Sequence, residues 1–206
     1  MDTTSRIADI TVPGKPKKRS TGIVGLNLLL DGGYPEGSII MVYGTPLSGV
    51  ELCARQFWKV EGEEGTYFMN DGDVETGMQE AADLHPEMYF PQMIGGRIVI
   101  DSLSTIIIKY GIESTLKFLR LARVEMQKRN GNLIFVVYEN VHTPMEITRI
   151  MRVADLVLSL RDSVSQNEIE RTLAVHKIRD AAAPQRLLPF IITDHGIEAS
   201  TTSRVV

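Results

Sequence analysis

The strongest constraint on this chain is an alternation of short, near-continuous apolar runs with segments of helical spacing. Residues 38–43, 66–69, 97–100, 133–138 and 156–160 hold too few polar positions to leave one face in water, so each reads as a strand buried on both faces. Between them, 52–60, 75–84 and 145–153 carry helical spacing. The clearest helix places Ile112, Leu116, Leu119, Ala122 and Met126 on one stripe with lysines and arginines between them, and Gly131 ends it. Strand and helix in strict turn imply an α/β protein with a mostly parallel central sheet flanked by helices. After a polar turn at 162–167, the segments 171–178 and 187–193 read as a C-terminal antiparallel β pair.

A length of 206 residues suits one domain with a substantial core. We place that domain at 21–199, after a flexible basic lead-in over 1–20 that carries Lys15, Lys17, Lys18 and Arg19, and before a disordered tail over 200–206. The 22 basic against 26 acidic residues leave a net charge of −4, so no overall basic field draws the chain to nucleic acid. No apolar run approaches the ~18 residues that span a bilayer. One cysteine, Cys53, forms no internal disulfide, and the amino terminus lacks the apolar stretch of a secretory signal; a cytoplasmic location is expected. The four histidines stand on separate segments without metal-ligand spacing.

In such a sheet the site belongs at the carboxyl ends of the strands. There the first central strand runs into Gly44-Thr45-Pro46-Leu47-Ser48-Gly49-Val50-Glu51, which keeps both glycines of the phosphate-loop pattern G-x-x-x-x-G-K-[S/T]. That loop works through backbone N–H groups around the phosphates, a lysine on the β/γ oxygens and a hydroxyl on magnesium. Here Val50 stands at the lysine position and Glu51 at the hydroxyl position. A carboxylate about 4 Å from a phosphate repels it by roughly 4 kcal/mol at an effective dielectric near 20, half of a micromolar affinity of about −8 kcal/mol. The expectation is a degenerate loop, with ATP and magnesium bound weakly or not at all.

Two acidic residues occupy positions that chemistry would need. Asp101 closes the strand at 97–100, where an aspartate holds a magnesium-bound water if magnesium binds. Asp71 follows the strand at 66–69, where a base for water activation would stand. With the loop altered, both read as remnants of a catalytic site.

The stretch from Ser20 to Ser38, STGIVGLNLLLDGGYPEGS, resembles the S-T-G-I-x-G-L-D-x-L-L-x-G-G-x-P-x-G-S opening of KaiC-like proteins in the RecA superfamily. The likeness continues through the loop frame, Ile100-Asp101-Ser102-Leu103-Ser104, Ala154-Asp155-Leu156-Val157-Leu158-Ser159-Leu160, His176-Lys177-Ile178-Arg179 and Phe190-Ile191-Ile192-Thr193-Asp194-His195-Gly196-Ile197-Glu198. It implies a RecA-like P-loop NTPase core of the archaeal single-domain type, ATP held between subunits, ring or filament assembly, and roles in signalling, timing, motility or recombination. It also implies that Lys177 and Arg179, matching the family's K-x-R pair, reach toward a neighbouring subunit, where the altered loop would offer Glu51 or Asp71 instead of phosphate. The family's paired catalytic glutamates fall at Asp71 and Gly72, so the second carboxylate is missing, and the span 77–96 is shorter than usual.

The preferred expectation is therefore a KaiC-like pseudo-ATPase, a non-catalytic regulator or scaffold acting through self-association, a paralogue of its own family or a signalling partner. The alternatives are a divergent ATPase whose loop is compensated from elsewhere, and a DNA-binding recombinase paralogue using the basic lead-in.

Overall fold

A computed structural model describes residues 17–165 and 167–199. Strand β1 (Lys18–Arg19) is followed by α1 (Val24–Leu29) and by β2 (Tyr34–Pro35), with which β1 pairs antiparallel. Then come β3 (Ile39–Gly44), α2 (Val50–Trp58), β4 (Gly65–Met69) and β5 (Gln79–Glu80), and two single 3₁₀ turns lead to β6 (Arg97–Asp101). Helix α3 (Leu103–Arg129), β7 (Asn132–Tyr138), α4 (Pro144–Val153), β8 (Leu156–Ser165), β9 (Glu168–Ile178), β10 (Leu188–Thr193) and β11 (Gly196–Ala199) complete the described chain.

Nine strands form one sheet in the order β11-β10-β9-β8-β3-β7-β6-β4-β5. From β8 to β5 every neighbouring pair is parallel, and from β8 to β11 every pair is antiparallel. The apolar runs are thus explained: β3, β6 and β7 sit in the middle, with layers packed on both faces. On one face Ile23, which caps α1, with Leu26 of α1 and Val50, Cys53 and Phe57 of α2, meets Ile40, Val42, Tyr67 and Val136. On the other, the α3 stripe of Leu116, Leu119, Ala122 and Met126, with Ile150 of α4, covers Ile39, Met41, Ile98 and Phe135. Helix α4 is started by Thr143, whose hydroxyl accepts from the backbone N–H of Glu146 while the Glu146 carboxylate accepts from the N–H of Thr143, with Pro144 at the first turn.

Three expectations need correction. Residues 75–84 are not a helix: only Met78 and Ala81 of the segment are buried, too few for a stripe, and its backbone joins the sheet edge, the Ala81 N–H donating to the Met69 carbonyl at 2.8 Å. The basic lead-in ends sooner than residue 20, because Lys18 and Arg19 are strand residues and the Arg19 guanidinium pairs with Glu63 at 2.5 Å and donates to the Asn130 carbonyl and the Asn132 side chain; residues 1–16, and the expected tail, lie outside the described residues. The polar stretch 162–167 is largely strand, since β8 and β9 run on together to the pair Ser165↔Glu168. The expected C-terminal antiparallel pair is present as β9 and β10, and β11 adds a further antiparallel strand at the sheet edge.

Candidate functional site

The glycine loop leaves β3 at the carboxyl end of the parallel strands and enters α2. Its shape needs both glycines. A Cβ on Gly44 would stand 2.5 Å from the Leu160 carbonyl and 2.5 Å from Ser48 Oγ, and Gly49 has φ +92°, the left-handed region that glycine adopts without strain. Ser48 is buried and turned inward, its hydroxyl donating to the Thr45 carbonyl at 2.7 Å. Thr45 Oγ1 donates to Asp162 on β8 at 3.3 Å. Leu47 projects outward, 77% exposed.

Val50, at the lysine position, is fully buried in the core between α2 and the sheet. Glu51, at the hydroxyl position, is half-buried, and its carboxylate accepts from the Tyr138 phenol at 2.9 Å. Tyr138 closes β7 directly beside Gly44 in parallel register, so the sheet itself brings the phenol to the loop. Asp101 ends β6 next to β7 and is 1% exposed, its Oδ2 accepting from the Tyr67 phenol at 2.5 Å. Its Oδ1 is buried without a hydrogen-bond partner. Burial pushes the Asp101 carboxyl up to about 6; the Tyr67 hydrogen bond and Arg55 act against this, and the charges of Glu51 and Asp71 add to it. Burial and the same three carboxylates hold the Tyr138 phenol well above its ordinary range, so it is a neutral donor at physiological pH. Asp71 is exposed, yet its Oδ2 accepts from the hydroxyls of Ser102 at 2.5 Å and Thr105 at 2.6 Å.

The cation on this side is Arg55, one turn along α2 from Glu51. It pairs with Glu75, which also takes Lys59 at 3.4 Å. Burial works against its charge, but Tyr67, Glu75 and Glu51 outweigh it and raise its pKa. Thus the loop, Glu51, Asp71 and Asp101 are gathered at one end of the sheet. Lys177 and Arg179 are not. They lie on and just after the end of β9 that pairs with the start of β8, the opposite end of the strands from the loop. The Lys177 ammonium donates to the carbonyls of Met151, Arg152 and Ala154 at 3.0, 3.1 and 2.6 Å, closing the C-terminus of α4. Arg179 pairs at 2.6 Å with Asp155, which also takes Arg123 at 3.1 Å.

Sequence reading missed Tyr67, Tyr138, Arg55 and Glu75. Only Tyr138 carried a signal, as the polar end of an apolar strand beside the glycine strand. Among the described residues, no group of three or more His, Cys, Asp or Glu is placed to hold a metal ion.

A glycine loop between the first central strand and its helix, in a parallel sheet extended by antiparallel strands, defines a RecA-like P-loop NTPase fold. A solved structure, the KaiC-like protein PH0186 from the hyperthermophilic archaeon Pyrococcus horikoshii OT3, has the same fold at a TM-score of 0.73 and 19% identity, over 90% of this chain and 99% of that one. The family model described as ATPase: KaiC matches residues 87–203, more than half of the chain. The chain belongs to the KaiC family. The matched stretch begins downstream of the glycine loop, and no curated protein matches the chain. Among the described residues no helix is long and apolar enough to cross a membrane.

Proposed function

We propose that this KaiC-family domain is a pseudo-ATPase that works through protein contacts, as a regulator or scaffold, either with copies of itself or with a partner. The observation that carries the reading is the side-chain arrangement at the loop. Where a lysine would meet phosphate there is the buried side chain of Val50, and where a hydroxyl would meet magnesium the Glu51 carboxylate is held in place by Tyr138. Asp71 and Asp101 add negative charge on the same side. Glu51 does not fit magnesium-bound ATP, because it sets a carboxylate where the loop's hydroxyl would meet magnesium, Val50 supplies no charge, and Arg55, the cation on this side, is committed to Glu75. Likeness to a family of assembling ATPases supports contact with another subunit as the surviving role, and the reading places the protein inside the cell.

Calorimetric titration of the protein with ATP and magnesium, with its mass followed by light scattering, tests this. The expected result is no binding heat at ~1 mM nucleotide and a mass unchanged by it. Micromolar binding, or magnesium-dependent hydrolysis abolished by Asp101→Ala, overturns the reading. The double substitution Val50→Lys with Glu51→Thr should then gain nucleotide binding of at least tenfold, about 1.4 kcal/mol, because it restores the cation and removes the anion.

A further inference from the structure

We propose that a cavity at the end of the sheet opposite the glycine loop binds an amphipathic monocarboxylate, an apolar body whose single carboxylate pairs with Arg179. The site stands apart from the loop, so the proposal goes beyond the reading of the loop and does not depend on it.

The cavity has a volume of about 570 Å³, within the ~300–1,000 Å³ of small-ligand sites. It lies between the turn that joins α1 to β2, the start of β8 and the turn that leaves β9. Leu29, Leu30, Pro35, Leu156, Ile178 and Pro184 line it, which suits an apolar ligand body. The wall after β9 is held by its own backbone. The Arg179 N–H donates to the Asp155 carbonyl at 2.8 Å, and Asp180, at φ +59°, turns the chain so that Ala181 bridges back to Ile178.

The charge at this wall is unbalanced. Asp155, 6% exposed, is one carboxylate shared by two guanidiniums, its Oδ1 pairing with Arg179 Nε at 2.6 Å and its Oδ2 with Arg123 Nε at 3.1 Å. Oδ2 also accepts from the Ile39 N–H at 3.0 Å. Lys177 adds a third cation, its ammonium donating to the carbonyl of Ala154 next to Asp155. Burial and then Arg179 lower the Lys177 pKa, Asp155 opposing them and Arg123 adding to them. Arg123 Nη2 is buried without a hydrogen-bond partner, so the positive charge here exceeds what Asp155 can satisfy. Of the three cations, Arg179 is the one that lines the cavity, and its side chain is 40% exposed. Only its Nε is engaged among the described residues, which leaves the Nη groups to meet a carboxylate.

The rest of the lining sets how much negative charge the ligand can carry. Asp31 meets Lys18 at 3.6 Å, Glu36 meets Arg19 at 3.7 Å, and Asp180 is exposed to water. These carboxylates, all on the cavity wall, disfavour a phosphate dianion or a triphosphate and leave room for one negative charge at the Arg179 fork.

Titration of the full chain with decanoate, kept below the concentration at which it forms micelles and followed by amide chemical shifts in NMR, tests the proposal. The expected result is saturable shifts confined to residues 29–38, 155–156 and 178–184. Arg179→Gln keeps much of the stem and should weaken decanoate by about tenfold. Ala182→Phe, which puts a ring into the cavity wall without removing a side-chain hydrogen bond, should weaken it as much. Arg186→Gln removes an exposed cation outside the cavity and should leave the affinity unchanged. The spectra of the variants show whether the fold is intact, and two substitutions of different kind keep the test standing if one fails to fold. Equal binding of decylamine, or shifts indifferent to both substitutions, overturns the proposal in favour of unspecific apolar adsorption. Displacement of decanoate by inorganic phosphate at equal concentration overturns it in favour of a general anion site, and displacement by magnesium-bound ATP overturns it in favour of a nucleotide. The absence of any saturable shift overturns it outright.

Discussion

Asp101 concentrates the electrostatic strain of the site in one carboxyl. Its native pKa of about 6 lies above the ordinary value of 3.8, chiefly because burial disfavours the charge. A native group that holds its proton more tightly than the unfolded chain adds stability fully below the unfolded pKa, and that stability is lost as pH rises through the native pKa. Two pKa units correspond to about 3 kcal/mol, so Asp101 should favour the fold near pH 4 and cost it above pH 7. Asp101→Asn keeps an oxygen for the Tyr67 phenol and removes the charge. We expect it to raise stability at pH 8 by up to about 3 kcal/mol, with the difference vanishing near pH 4, as measured by denaturant unfolding across that range. Equal stability of the two proteins at pH 8 would contradict the assignment of the strain to this residue.

At the scale of elements, Lys177 ties two layers together. From β9 it reaches three carbonyls at the C-terminus of α4, where a cation also meets the negative end of the helix dipole. Lys177→Met keeps the stem and removes the donors, and should destabilise the fold by roughly 1–3 kcal/mol, read as a lower denaturant midpoint with an unchanged slope. The sequence placed this residue on the right strand and assigned it outward, to a neighbouring subunit. Its three acceptors belong to a helix end that no spacing rule connects to residue 177. The same limit explains the rest of the comparison. Strands β3, β4, β6, β7 and β8 were legible because burial on both faces writes itself as continuous apolar runs, and α3 because its stripe repeats over several turns. The segment at 75–84 was misread because its two buried positions, Met78 and Ala81, stand three apart as on a helix face, whereas they flank the two-residue edge strand β5. At the site, the glycine loop between β3 and α2 was legible from local spacing. Tyr138 and Tyr67 were not, because their role comes from strand order: Gly44 meets Tyr138, and Met69 meets Asp101, only once the sheet is assembled.

For the whole molecule, the two cores share one continuous sheet, and the glycine loop and its helix are packed into the larger of them through Val50, Cys53 and Phe57. In a nucleotide-dependent fold, ligand contacts at the loop would carry part of the stability. Here the loop closes on itself through Ser48 and Thr45, and Glu51 is met by Tyr138, so the same region is fixed by its own side chains. Ligand that binds only the native state stabilises it by RT ln(1 + [L]/Kd), which is at most about 0.4 kcal/mol at 1 mM ligand if Kd is 1 mM or weaker. Thermal unfolding should therefore be cooperative and nearly indifferent to ~1 mM ATP with magnesium, moving by no more than about 2 °C. A shift of several degrees would mean that nucleotide contributes to holding the sheet and the loop together, and that the contacts between Glu51, Tyr138 and Asp101 give way to it.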